Sequence, residues 1–210
     1  KILNASALVW YPAETDVSIR PGWFYHAKED SKVKTPEKLL DIYFSSVGRN
    51  SVLLLNIPPD TRGRISDADS SSLLQWAKLR NRLFSKNLAA GARAKASNGS
   101  EGKNLFDGNI RSSFLVDQKD TTTSIEVELK SSQTFDVLLL QEDILKGQRV
   151  EKFRLEYQKG SEWLPVTRGT TIGYKRLLRF DPVTAQKLRL TIEASRLNPV
   201  LAEMGLYKLP

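Results

Sequence analysis

Ser51 to Ile57, SVLLLNI, is an apolar run that ends in the Pro58-Pro59 breaker. A strand of that pattern is buried on both faces, as parallel strands covered by helices are. Its flanks agree. Upstream, Thr35 and Pro36 supply an N-cap and a first-turn proline, and Leu39, Leu40, Tyr43, Phe44 and Val47 keep helical spacing until Gly48, so a helix is predicted over Pro36 to Val47. Downstream, Leu73, Trp76, Ala77, Leu83 and Phe84 mark one side of a second amphipathic helix. Val17 to Tyr25 reads as an extended segment broken at Pro21-Gly22. Strand, helix, buried strand, helix is the rhythm of a βα repeat. Two such units cannot close a (β/α)8 barrel, which needs eight strands and about 250 residues. Residues 1-86 are therefore read as the terminal βα units of such a barrel, the rest lying in sequence outside this chain. A self-contained small α/β domain is the alternative, but two parallel strands without neighbours would expose most of their apolar surface.

Past Asn87 the period changes. Short alternating segments appear at Ser124 to Leu129, Phe135 to Gln141, Val150 to Gln158, Glu162 to Val166, Arg176 to Phe180, Lys187 to Ile192 and Ala202 to Leu206. Gly, Ser, Asn and Asp separate them, which predicts seven or eight strands in an antiparallel β-sandwich over residues 87-210. Trp163 and Tyr157 fall within strands and are assigned to its core.

The 210 residues, 40% hydrophobic and 27% charged, suit two ordinary globular domains. No apolar run reaches the length of a membrane span. Without cysteine there is no disulfide, thiolate metal site or cysteine nucleophile. The net charge of +8 raises nucleic acid as a minor partner hypothesis. The basic residues are spread among acids with no nucleic-acid motif, so a solvated surface and no nucleic-acid partner is the preferred reading. The start, KILNASALVW, lacks the features of a secretory signal.

Trp10 to His26, WYPAETDVSIRPGWFYH, threads Glu14, Asp16, Arg20 and the chain's one histidine among Trp10, Tyr11, Trp23, Phe24 and Tyr25. Aromatic faces stack on the C–H faces of sugars while charged groups bind hydroxyls, so carbohydrate is the first ligand class to consider. The same aromatics also suit a core. Trp23, Trp10, Arg20, His26 and Asn56 are candidate substrate contacts, with Arg20 and Asp16 expected to pair and hold the loop. Lone His26 is a poor metal site, so no catalytic metal is expected. Neither a phosphate loop nor a nucleophile elbow is present.

These residues, with SSVGRNSVLLLNIPPDTRG at Ser45 to Gly63, resemble the end of the catalytic barrel of α-L-fucosidases of glycoside hydrolase family 29. The second half resembles the discoidin, or coagulation factor 5/8 type C, domain with its galactose-binding-like jelly roll. That likeness is carried by NLAAGARAKAS at Asn87 to Ser97, LFDGN at Leu105 to Asn109, FDVLLLQEDI at Phe135 to Ile144, GQRVEKFRLE at Gly147 to Glu156 and GTTIGYKRLLRF at Gly169 to Phe180. Phe114 stands near where such domains usually place a tryptophan. The resemblance implies a retaining exo-α-L-fucosidase, acting on a fucosylated glycan through two carboxylates. It implies that the nucleophile lies upstream of Lys1, with the missing N-terminal barrel portion, so that this segment alone is inactive. It makes Glu14 a candidate acid/base or supporting carboxylate. It makes Asn109, Arg111 and Phe114 candidates for a ligand loop, and Asp107 a candidate ligand of a structural calcium. No catalytic cofactor is implied, and a periplasmic or secreted location is. A non-catalytic carbohydrate-binding or adhesion module is the alternative reading.

Overall fold

The computed structural model describes residues 13–97, 102–116 and 120–210. Its first part holds two parallel strands, β1 (Ala13–Ser18) and β2 (Ser51–Asn56), in register from Ala13 opposite Ser51 to Ser18 opposite Asn56. Helix α1 (Pro36–Ser45) connects them and α2 (Asp67–Leu83) follows. Both helices start where side-chain capping dictates. Thr35 accepts from the Lys38 amide and Ser66 from the Asp69 amide, satisfying N–H groups that a first turn leaves bare.

Helix α1 ends two residues before the expected Val47. The Ser46 hydroxyl donates back to the Ile42 carbonyl, and the Gly48 amide reaches Tyr43 at 3.0 Å, closing the helix early. A Cβ on Gly48 would lie 2.5 Å from the Phe44 carbonyl oxygen, so this close turn needs glycine. The expected burial of β2 on both faces is not seen. Val52 and Leu54 are 50% and 54% exposed, because among the described residues β1 is the only strand beside β2.

The remaining strands are β3 (Arg93–Ala96), β4 (Phe114–Leu115), β5 (Thr123–Glu142), β6 (Val150–Lys159), β7 (Glu162–Gly169), β8 (Arg176–Ser195) and β9 (Val200–Tyr207). They form one antiparallel sheet in the order β4-β9-β5-β8-β6-β7, with β3 also on β5. β5 and β8 are each twenty residues long where the pattern predicted two short strands. Register shifts between Glu128 and Gln133 and between Phe135 and Val137 let each serve both halves of the sheet. β5 pairs with β3 and β8 near Ile125, and with β9 and β8 near Leu139.

The main core, including Phe135, Phe153, Leu155, Leu188 and Leu190, fills the sheet's interior. A second core joins the two parts. Leu40, Phe44 and Leu83 from the helices pack with Val137, Leu139, Leu177 and Tyr207 from the sheet. Tyr157 packs against the main core as expected. Trp163 does not join it: the ring is half-buried, with the Arg189 guanidinium 4.4 Å from its centroid. Among the described residues no helix is long and apolar enough to cross a membrane.

Candidate functional site

The aromatic–acidic run is organised around Arg20. Its side chain is fully buried, and Nε donates to Asp69 at 3.0 Å, Nη1 to the His26 carbonyl at 3.2 Å, and Nη2 to Asp30 at 2.7 Å and to Ser66 Oγ at 2.8 Å. The Tyr25 ring covers the guanidinium at 4.6 Å. Burial alone would lower its pKa, but Asp30 and Asp69 more than offset this and raise it. The expected pairing of Arg20 with the exposed Asp16 is therefore corrected: the partners are Asp30 and Asp69. With every guanidinium nitrogen bonded inside the protein, Arg20 is a frame for the loop after β1 rather than a substrate contact.

Asn56 ends β2 beside that loop. Its Nδ2 donates to the Trp23 carbonyl at 3.0 Å and to Ser18 Oγ at 3.2 Å, and Ser18 in turn donates to the Gly22 carbonyl. Strand end and loop are stitched together. The NIPPDTRG stretch closes on itself through Asp60, which accepts from the amides of Arg62 and Arg64 and from the Arg62 side chain at 2.7 and 2.9 Å. Arg62 holds that carboxyl below the usual range.

What this frame presents is aromatic. Trp23 is 51% exposed and Phe24 78%, and both follow the C-terminal end of β1. His26 is exposed beside them and engages through its backbone carbonyl. Glu14 is exposed but is not brought to this group. It pairs in register with Val52 near the N-terminal end of β1, four residues before Ser18 and roughly 13 Å of strand away from the Trp23 end. Trp10 lies outside the described residues.

The sandwich loop candidates separate as well. Phe114 is 4% exposed and belongs to the main core, which corrects its reading as a ligand-loop aromatic: it fills the interior behind β9. Asn109 and Arg111 are exposed on a turn in which Asp107 accepts from the Asn109 amide at 2.8 Å and from Ser112 Oγ at 2.6 Å, and Asn109 from the Arg111 amide at 3.1 Å.

Sequence reasoning missed Glu203, which stands behind this turn. It is buried, accepts from the Gly108 amide at 3.0 Å, and is pushed up to about 7 by burial and by the charge of Asp107. Asn50 was missed too. With φ of 68°, it bridges to the sandwich, donating to the Ile172 carbonyl at 2.9 Å and accepting from the Lys175 amide at 2.8 Å. The signal for Asn50 is its type, since asparagine tolerates the left-handed region. Glu203 gave none beyond its place in a strand.

Known proteins match both parts. Residues 4–81 match the family described as Alpha-L-fucosidase and residues 89–203 the F5/8 type C domain. The chain is 40% identical to Alpha-L-fucosidase 1 of Arabidopsis thaliana, with 94% of this chain and 41% of that protein covered. It spans about two fifths of the length of the curated relatives it matches. Among solved structures, SpGH29 superposes with a TM-score of 0.86 at 42% identity, over 94% of this chain and 44% of that one. A Ruminococcus gnavus GH29 fucosidase in complex with fucose gives 0.88 at 32%, over 98% and 42%. A chitosan-binding module from a Paenibacillus chitosanase/glucanase, at 24% identity and a TM-score of 0.51, shares the fold over 58% of this chain and 97% of its own. The chain belongs to the F5/8 type C family through residues 89–203 and carries, in residues 4–81, a segment of the α-L-fucosidase family.

Proposed function

We propose that this chain is the C-terminal part of a retaining exo-α-L-fucosidase that removes terminal fucose from glycans, with residues 1-86 as the last βα units of its barrel and residues 87-210 as a bracing sandwich. The observation that carries the reading is the two-stranded parallel sheet with half-exposed Val52 and Leu54. Parallel strands are covered on both faces in stable folds, so this sheet supports further staves beside it. Trp23 and Asn56 lie at the C-terminal ends of β1 and β2, the end at which barrel enzymes build their active sites. Trp23 is the direct substrate contact, its indole facing an apolar side of the sugar. The attacking and proton-donating carboxylates belong to the rest of the parent. Glu14, at the opposite end of its strand, takes neither role.

The test is hydrolysis of an aryl α-L-fucoside. The parent releases the phenol, these 210 residues alone do not, and Trp23→Ala in the parent raises KM. A parent with no hydrolysis sinks the assignment.

The Asp107 turn also fits a structural calcium. Asp107 and Glu203 would be the side chains to hold it, oxygen donors whose like charges a dication would relieve. A higher Tm in calcium than in EDTA, lost in Asp107→Asn, tests this.

A further inference from the structure

Where the helices meet the sandwich, beside the second core, lies a pocket of about 260 Å³. Its walls include the rings of Tyr43, Phe84 and Tyr207, and its charged groups are Arg80 from α2 and Lys175 just before β8. Among the described residues no acidic side chain lines it. That balance is unusual for a half-buried site, because buried cations are ordinarily paired.

Both cations line the pocket with Asn81, and neither has a carboxylate partner among the described residues. Lys175 is fixed by its backbone amide on Asn50 Oδ1, and among the described residues its ammonium has no hydrogen bond or ion pair. Arg80 spends one N–H on Asn81 Oδ1 at 3.2 Å and stacks on Trp76 at 5.2 Å, and among the described residues it too has no carboxylate. Burial, and after it the charge of Arg80, lower the pKa of Lys175. Burial raises both tyrosines, Tyr207 to about 12, so each keeps its O–H as a donor at neutral pH. The acid that acts on Tyr207, Glu203, lines a neighbouring groove instead.

We infer that this pocket binds a small oxoanion, a sulfate, phosphate or carboxylate group, clamped between Lys175 and Arg80. Such a group accepts from both cations and from a phenol, and its charge removes their mutual repulsion. The site is away from the β1 loop, and it does not depend on the fucosidase reading.

The experiment is a titration of the purified protein with sulfate, phosphate, acetate and a sulfated monosaccharide at millimolar concentration. Chloride at matched ionic strength is the reference, read by calorimetry and by Tm. Saturable binding of at least one anion is expected, with Lys175→Met and Arg80→Met each weakening it by about tenfold or more. Tighter binding of the sulfated sugar than of sulfate assigns the anion to a glycan substituent, and the reverse assigns a free ion. In chloride, Lys175→Met is expected to unfold at the same temperature as the parent or higher, because it removes a desolvated, repelled charge. A response equal in all three proteins, no saturable response, or a Lys175→Met variant that loses Tm in chloride while binding anions unchanged would overturn the inference.

Discussion

Arg20→Met measures how much of the first part hangs on one buried ion pair. Arg20 and Asp69 are both fully buried, and among the described residues no side chain other than Arg20 bonds the Asp69 carboxylate, whose Oδ1 has no partner there. Removing the guanidinium strands a negative charge in the interior, which costs about 3–5 kcal/mol. The Asp30 contact adds little, because Asp30 is 45% exposed and its charge is solvated when released. Against a total stability of about 5–15 kcal/mol, the variant is expected to lose a large fraction. Adding Asp69→Asn discharges the stranded group and should return about half of the loss. Urea unfolding at neutral pH reads both: the midpoint falls steeply in the single variant and recovers in the double, with unchanged slope. A single variant within about 1 kcal/mol of the parent, or a double variant no better than the single, would refute the reasoning.

Three further outcomes are expected. Glu203 has a folded pKa of about 7 against 4.5 unfolded, so the folded state holds its proton longer and stability falls as pH rises between those values, by roughly 3 kcal/mol in EDTA. Glu203→Gln should flatten that slope, and an unchanged pH profile by thermal melts would count against it. Asn50→Ala loses two hydrogen bonds and forces alanine to positive φ, for about 3 kcal/mol, whereas Asn50→Gly should recover about 1 kcal/mol of it in the same urea assay. In the proposed fucosidase parent, Glu14→Gln should keep kcat on an aryl fucoside within about threefold, since removal of a general acid costs about a hundredfold or more.

The regular elements were legible where one local rule fixed them. The cap at Thr35 set the start of α1, and β6 matches its predicted Val150 to Gln158 to within one residue, whereas β9 is buried at every position and outruns its predicted Ala202 to Leu206 at both ends. β5 and β8 read as two strands apiece because their middles turn polar: Lys130, Ser131 and Ser132 are exposed, as are Asp181, Pro182 and Thr184. Polarity there marks a sheet corner, where the strand leaves one set of neighbours for another, and not a chain reversal. β3 was invisible for the opposite reason. Its inward residues, Ala94 and Ala96, bury too little surface to make an apolar pattern.

The site residues divide by a principle that composition does not show. Arg20 looked like a rim charge because Asp16 is its near neighbour in the chain, yet its buried partner, Asp69, comes from a helix 49 residues on. Asn56, Asp60 and Asn50 likewise spend their polar atoms inside the protein, on loops and on the join to the sandwich. Such residues can be uncommon and rigidly placed while meeting no ligand. Trp23 and Phe24 are the converse: large apolar rings held in the open by that frame, at a cost in solvent exposure that folding of these residues alone does not recover. Rings kept exposed beside a sheet whose own apolar strand is half-bare form an uncovered apolar surface, the one against which the proposed remainder of the barrel and its sugar would be placed.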